Sequence, residues 1–113
     1  MYLGNFREQN MSFTRSELLE AVSIAVEVYI DTFRATSTEY NNAIARETNE
    51  TLRIGLMFSK GDALDRAQEC AEILAHDTVY RTARAKGCSE TIAEDQAHHA
   101  KHAFNSKLLN CAF

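Results

Sequence analysis

The stretch TRSELLEAVSIAVEVYIDTF, residues 14–33, decides the class of fold. Its first four residues, Thr14-Arg15-Ser16-Glu17, make a capping box: the threonine hydroxyl accepts from the amide three residues on, and the glutamate reaches back to the threonine amide. Leu18, Leu19, Val22, Ala25, Val26, Tyr29, Ile30 and Phe33 then recur at spacings of three and four, with Glu20, Glu27, Asp31 and Arg34 on the other side. That is the period of a helix with one buried and one wet face.

Outward from this helix, few residues interrupt the pattern. The chain has no proline and only four glycines, so long helices meet few breakers and hairpin turns lack their usual residues. The expected fold is all-α, a compact bundle of about four helices. Propensity sags at RATSTEY, where Thr36 to Glu39 offers a second capping box, so a break or kink is expected near residues 35–38. A second helix continues through Tyr40, Ile44, Thr48, Thr51, Gly55 and Phe58 to a break at Gly61.

The third expected helix carries Leu64, Ala67, Ala71, Leu74 and Thr78, and ends where RAKG sets cations in the last turn and Gly87 at the left-handed position beyond it. Ser89 caps a fourth, ordered around Ala93, Ala97, Ala100, Phe104 and Leu108. The short connection makes helices three and four an antiparallel hairpin. Residues 1–13 carry no helical period and are read as an N-terminal arm, with 14–113 a single helical domain.

With 113 residues, 45% hydrophobic and 25% charged, the chain is long enough for one core. A formal charge of −4 argues against a broadly basic surface for nucleic acid or anionic membrane, and no apolar run spans a bilayer. Cys70, Cys88 and Cys111 form no CxxC pair and are odd in number, which fits reduced thiols and a cytoplasmic location. The third helix bears a second apolar set, Cys70, Ile73 and Tyr80, opposite its main stripe. Burial from both sides points to another subunit, so a homodimer or a protein partner is expected.

Two clusters carry possible chemistry. In EDQAHHAKHAF, residues 94–104, His98 and His102 have the i, i+4 spacing with which two imidazoles grip one metal. Helical phase turns them away from Ala97, Ala100 and Phe104, so they are expected to face solvent, and the hairpin brings His76 level with them. The second cluster is a pair of E-x-x-E motifs, Glu47-Thr-Asn-Glu50 and Glu69-Cys-Ala-Glu72, on consecutive expected helices. Paired carboxylates on facing helices suit Mg²⁺, a hard ion that takes oxygen ligands.

Over about residues 40–104 this arrangement resembles the MazG-like all-α nucleoside triphosphate pyrophosphohydrolases, whose pattern is E-x-x-E followed by E-x-x-D. The resemblance implies Glu47, Glu50, Glu69 and Glu72 as ligands of Mg²⁺, and water attack on the phosphate chain of a nucleotide. The sequence differs from that pattern at Glu72, where the family has aspartate, and at Ala71, where it usually has glycine. Glu47 falls on the expected apolar stripe, where a carboxylate requires a metal or a basic partner. The leading functional expectation is a non-catalytic interaction or regulatory module that self-associates and carries no cofactor. The alternative is the Mg²⁺-dependent pyrophosphohydrolase.

Overall fold

Three helices, α1 (Arg15–Arg46), α2 (Glu50–Ala85) and α3 (Glu90–Leu109), account for most of residues 14–111, the part of the chain that the computed structural model describes. The expected arm, residues 1–13, lies outside the described residues, among which there is no strand. The expected count of four helices is corrected to three, because two of the three anticipated breaks, near residues 35–38 and at Gly61, are absent and an unanticipated one is present.

Each start and stop has a local cause. Thr14 closes the expected capping box on α1: its Oγ1 accepts from the Glu17 amide at 3.1 Å and Glu17 Oε1 accepts from the Thr14 amide at 3.1 Å. The weak segment at residues 35–38 stays helical because Phe33, Ser37, Tyr40 and Ile44 are half-buried along one side of α1, and tertiary packing outweighs a few tenths of a kcal/mol of propensity per residue. Gly61 likewise lies inside α2; Gly87, at φ 95°, is the positive-φ glycine of the described residues.

The actual break is at Glu47-Thr48-Asn49. Glu47 leaves the helix at φ −79°, ψ 124°, its Oε1 accepts from the Asn49 amide at 3.1 Å, and Asn49 Oδ1 accepts from the Leu52 amide at 3.0 Å to start α2. The α2–α3 connection is as expected. The Cys88 amide donates to the Ala83 carbonyl and the Gly87 amide to Arg84, a Schellman closure, and Ser89 Oγ accepts from the Ile92 amide to start α3.

The core lies at one end of the molecule. Leu18, Val22, Val26 and Tyr29 of α1 meet Val79 of α2 and Phe104 of α3, with alanines filling the rest of the interface: Ala21, Ala25, Ala71, Ala75, Ala83, Ala93 and Ala100. Alanine brings helix axes close while contributing little area, so the few large side chains carry most of the burial. The Phe104 ring meets Tyr29 edge-on at 6.4 Å. At the closed end, Lys86 Nζ bonds Glu17 Oε1 at 2.5 Å, tying the α1 cap to the C-terminus of α2. This ion pair, with the Thr14 bonds, lowers the Glu17 carboxyl to about 2.

The buried line of α2 is Ala71, Ala75, Val79 and Ala83; Leu74 and Thr78, assigned to it from sequence, are exposed. The four-residue spacing follows because α2 is the middle helix and its buried line points between two neighbours. The core also ends abruptly, since none of residues 30–70 is fully buried. Asn105 donates to Glu72 at 2.7 Å and the His76 and His98 rings meet edge-on, and continuing that antiparallel register places the end of α3 level with about residue 67 of α2. Beyond it, α1 and α2 run on as a two-helix arm about 25 Å long. The radius of gyration is 19.2 Å and the extents are 73 × 23 × 18 Å, against about 13 Å for a compact domain of this length, so the shape is extended rather than compact.

Candidate functional site

The arm has a narrow seam. Half-buried positions include 33, 36, 37, 40, 43 and 44 on α1, Glu47 just past its end, and 53, 56, 60, 63, 64 and 67 on α2, among which the three-and-four spacing of a coiled coil recurs. Several are polar: Glu47, Arg53, Ser37 and Lys60, whose Nζ bonds Asn41 at 2.9 Å, while Ser37 Oγ is buried without a hydrogen-bond partner. A seam of this kind covers one side of each helix and leaves the others open.

The four glutamates are not gathered by one chain. Glu47 caps the end of α1, and Glu50 opens α2 paired with Arg53 at 3.4 Å. Glu69 is exposed, and Glu72 is held by Asn105 and Lys101 against α3. At 1.5 Å of rise per residue, Glu50 and Glu69 stand about 28 Å apart along α2, whereas ligands of one ion lie within about 5 Å of one another. Glu47 is half-buried at the end of the Tyr40 and Ile44 stripe, as its phase implied, and its bond to the Asn49 amide accounts for this carboxylate by loop closure.

Of the histidines, His76 and His98 are brought together by the α2–α3 hairpin. The rings of His76 and His98 lie 5.6 Å apart and nearly perpendicular, His98, His99 and His102 are exposed, and His99 Nδ1 is 3.8 Å from Asp95. No group of three or more His, Cys, Asp or Glu side chains among the described residues is placed to hold a metal.

The more unusual surface is on α2, and sequence reading passed over it. Ile54, Met57 and Phe58 are 45, 57 and 73% exposed. Together with Gly61 they lie eighteen residues, about five full turns, before Glu72, Ala75, His76 and Val79. Glu72 and His76 touch α3, and Ala75 and Val79 are fully buried. The stripe that α3 covers therefore continues along the arm past the point where α3 stops, with large apolar side chains that no other described residue covers.

The two glycines of the arm reinforce this reading. A Cβ added at Gly55 or Gly61 would meet nothing within 4 Å, and neither residue has positive φ. Each costs the helix about 1 kcal/mol relative to alanine, and no neighbour among the described residues requires that cost. A second apolar surface, a groove between α1 and α2, is lined by Val28, Thr32, Ala67, Cys70 and Leu74. The second set expected on this helix stays at the surface: Cys70 is exposed, Ile73 is 63% exposed and Tyr80 is half-buried against the core.

The signal for the α2 strip was present but mis-phased. Carrying one stripe from Tyr40 through Phe58 assumes a continuous helix, and the break at residues 47–49 resets the phase, so Phe58 moves from the expected interior to the outside. No helix among the described residues is long and apolar enough to cross a membrane. Comparisons of the chain with protein families, with characterised proteins and with solved structures found no match.

Proposed function

We propose that this chain is a small helical interaction module without catalytic activity, that it self-associates, and that its two-helix arm is the binding element. The observation that carries the reading is the uncovered continuation of the α3-facing stripe, Ile54, Met57 and Phe58. Large apolar side chains clustered on one face of a helix cost solubility and favour aggregation, and such a patch marks a surface that another helix covers. The odd number of cysteines and the lack of a CxxC pair suit a reducing compartment, and we place the protein in the cytoplasm.

The test is photo-crosslinking in cells, with benzoylphenylalanine at position 58 of the arm and, as control, at exposed position 94 of α3. A discrete protein adduct at 58 and none at 94 is the expected result. No adduct at 58 in folded protein overturns the interaction reading. Pyrophosphate release from nucleoside triphosphates in the presence of Mg²⁺, lost on Glu47→Gln or Glu69→Gln, overturns its non-catalytic part.

A further inference from the structure

We infer that the strip on α2 is covered by the arm of a second copy of this chain, two arms packing antiparallel about a two-fold axis beside Met57 and Phe58. The inference rests on the interaction reading above and gives its self-association a surface, a direction and a register.

Length and direction come first. Helix α3 fills the third-helix place from the closed end to about residue 67 of α2, running antiparallel to α2. What remains open is about 25 Å of the same track. A partner's α2 laid antiparallel continues the direction of α3 and supplies an arm of that same length, with its tip abutting Leu109, the 88% exposed last residue of α3. The open track and the element that fills it match because each copy supplies both.

The order of residues is self-complementary. The strip reads 54, 57, 58, 61, and a two-fold axis midway between 57 and 58 exchanges 54 with 61 and 57 with 58. Ile54 then projects over the partner's Gly61, where the space a Cβ would take is open, and Met57 packs on the partner's Phe58. An isologous contact needs a patch that maps onto itself, with large residues opposite small ones. The same register sets Asp65 beside the N-terminus of the partner's α2, the positive end of that helix dipole; Glu50 in that turn is already paired with Arg53.

Area sets the strength. A strip about 25 Å long on one helix about 10 Å across gives about 250 Å² per copy in projection, or about 500 Å² in total, the size of a weak, transient contact. The dimer is therefore dissociable. Each free chain keeps its own core, because that core lies wholly at the other end.

Sedimentation equilibrium of the purified, reduced chain over a wide range of concentration tests this. The expected result is a reversible monomer–dimer equilibrium, weakened at least tenfold by Phe58→Asp and at least tenfold by Gly61→Leu, with the helical circular dichroism of both variants retained. In a Cys70→Ser, Cys111→Ser background, oxidation of a mixture of Ile54→Cys and Gly61→Cys copies should yield the mixed disulfide. A monomer at every concentration, or a dimer indifferent to both variants, overturns the inference. If the chain stays monomeric and position 58 crosslinks a different protein, this inference and the self-association are eliminated while the arm stands as a binding element; failure of both tests removes both.

Discussion

Phe104→Ala, set against Phe58→Ala, reads the division of the molecule into a packed end and an open arm. The Phe104 ring is completely buried, and the residues packed in its cluster are largely alanines, which have no rotamer with which to fill a void. Removing it opens a void of about 100 Å³ that costs about 2.4 kcal/mol at roughly 24 cal/mol per Å³. Lost transfer of the ring from water adds about 2 kcal/mol. The sum, about 4 kcal/mol, is a large part of the about 5–15 kcal/mol that stabilises a small domain, and lowers Tm by about 15–30 °C. Phe58 is 73% exposed, and its truncation in dilute protein should cost within about 0.5 kcal/mol. Urea unfolding followed at 222 nm measures both. A Phe104→Ala cost below about 1.5 kcal/mol, or similar costs at both positions, would refute the assignment of stability to the closed end.

Three other outcomes are expected. Gly55→Ala and Gly61→Ala should each raise stability by about 0.5–1 kcal/mol in dilute protein, since the added methyl meets nothing, and a loss on either substitution in thermal melts would reveal a contact within the chain. The Glu17 carboxyl is held at about 2, against an ordinary 4.5, first by Lys86 and then by the Thr14 amide and hydroxyl. Its folded value is depressed, so its contribution is complete above about 4.5 and disappears as pH falls towards 2; Glu17→Gln should flatten the pH dependence of the urea midpoint in that window, and equal slopes would count against the cap-to-helix tie. Thiol labelling under native conditions should modify exposed Cys70 rapidly and Cys88, 2% exposed, only on unfolding; prompt modification of Cys88 would contradict the α2–α3 packing.

The sequence was most informative where a signal is local. The Thr14 box, the Gly87 terminus, the Ser89 cap and the Ala93, Ala97, Ala100, Phe104 line depend on residues within one or two turns of each other, and each stands where expected. Helix number was less legible because Thr36-Ser-Thr-Glu39 and Gly61 look like boundaries in isolation, and only contact along the arm keeps those turns helical. Conversely, Glu47-Thr-Asn looks like ordinary helix until its bonds close the turn. That one misplaced boundary displaced the candidate site as well: it put Phe58 on an inner stripe and hid the strip formed by Ile54, Met57 and Gly61. Where α3 stops relative to α2 depends on three-dimensional register, which no single helix encodes.

Amide hydrogen exchange along α2, measured in dilute and in concentrated protein, tests the central claim most directly. Residues 71–83 should be protected equally at both concentrations because α1 and α3 cover them within one chain. Residues 52–66 should exchange readily when dilute and gain protection of at least tenfold when concentrated. Strong protection of 52–66 that is the same at both concentrations would contradict an open arm completed by a second copy.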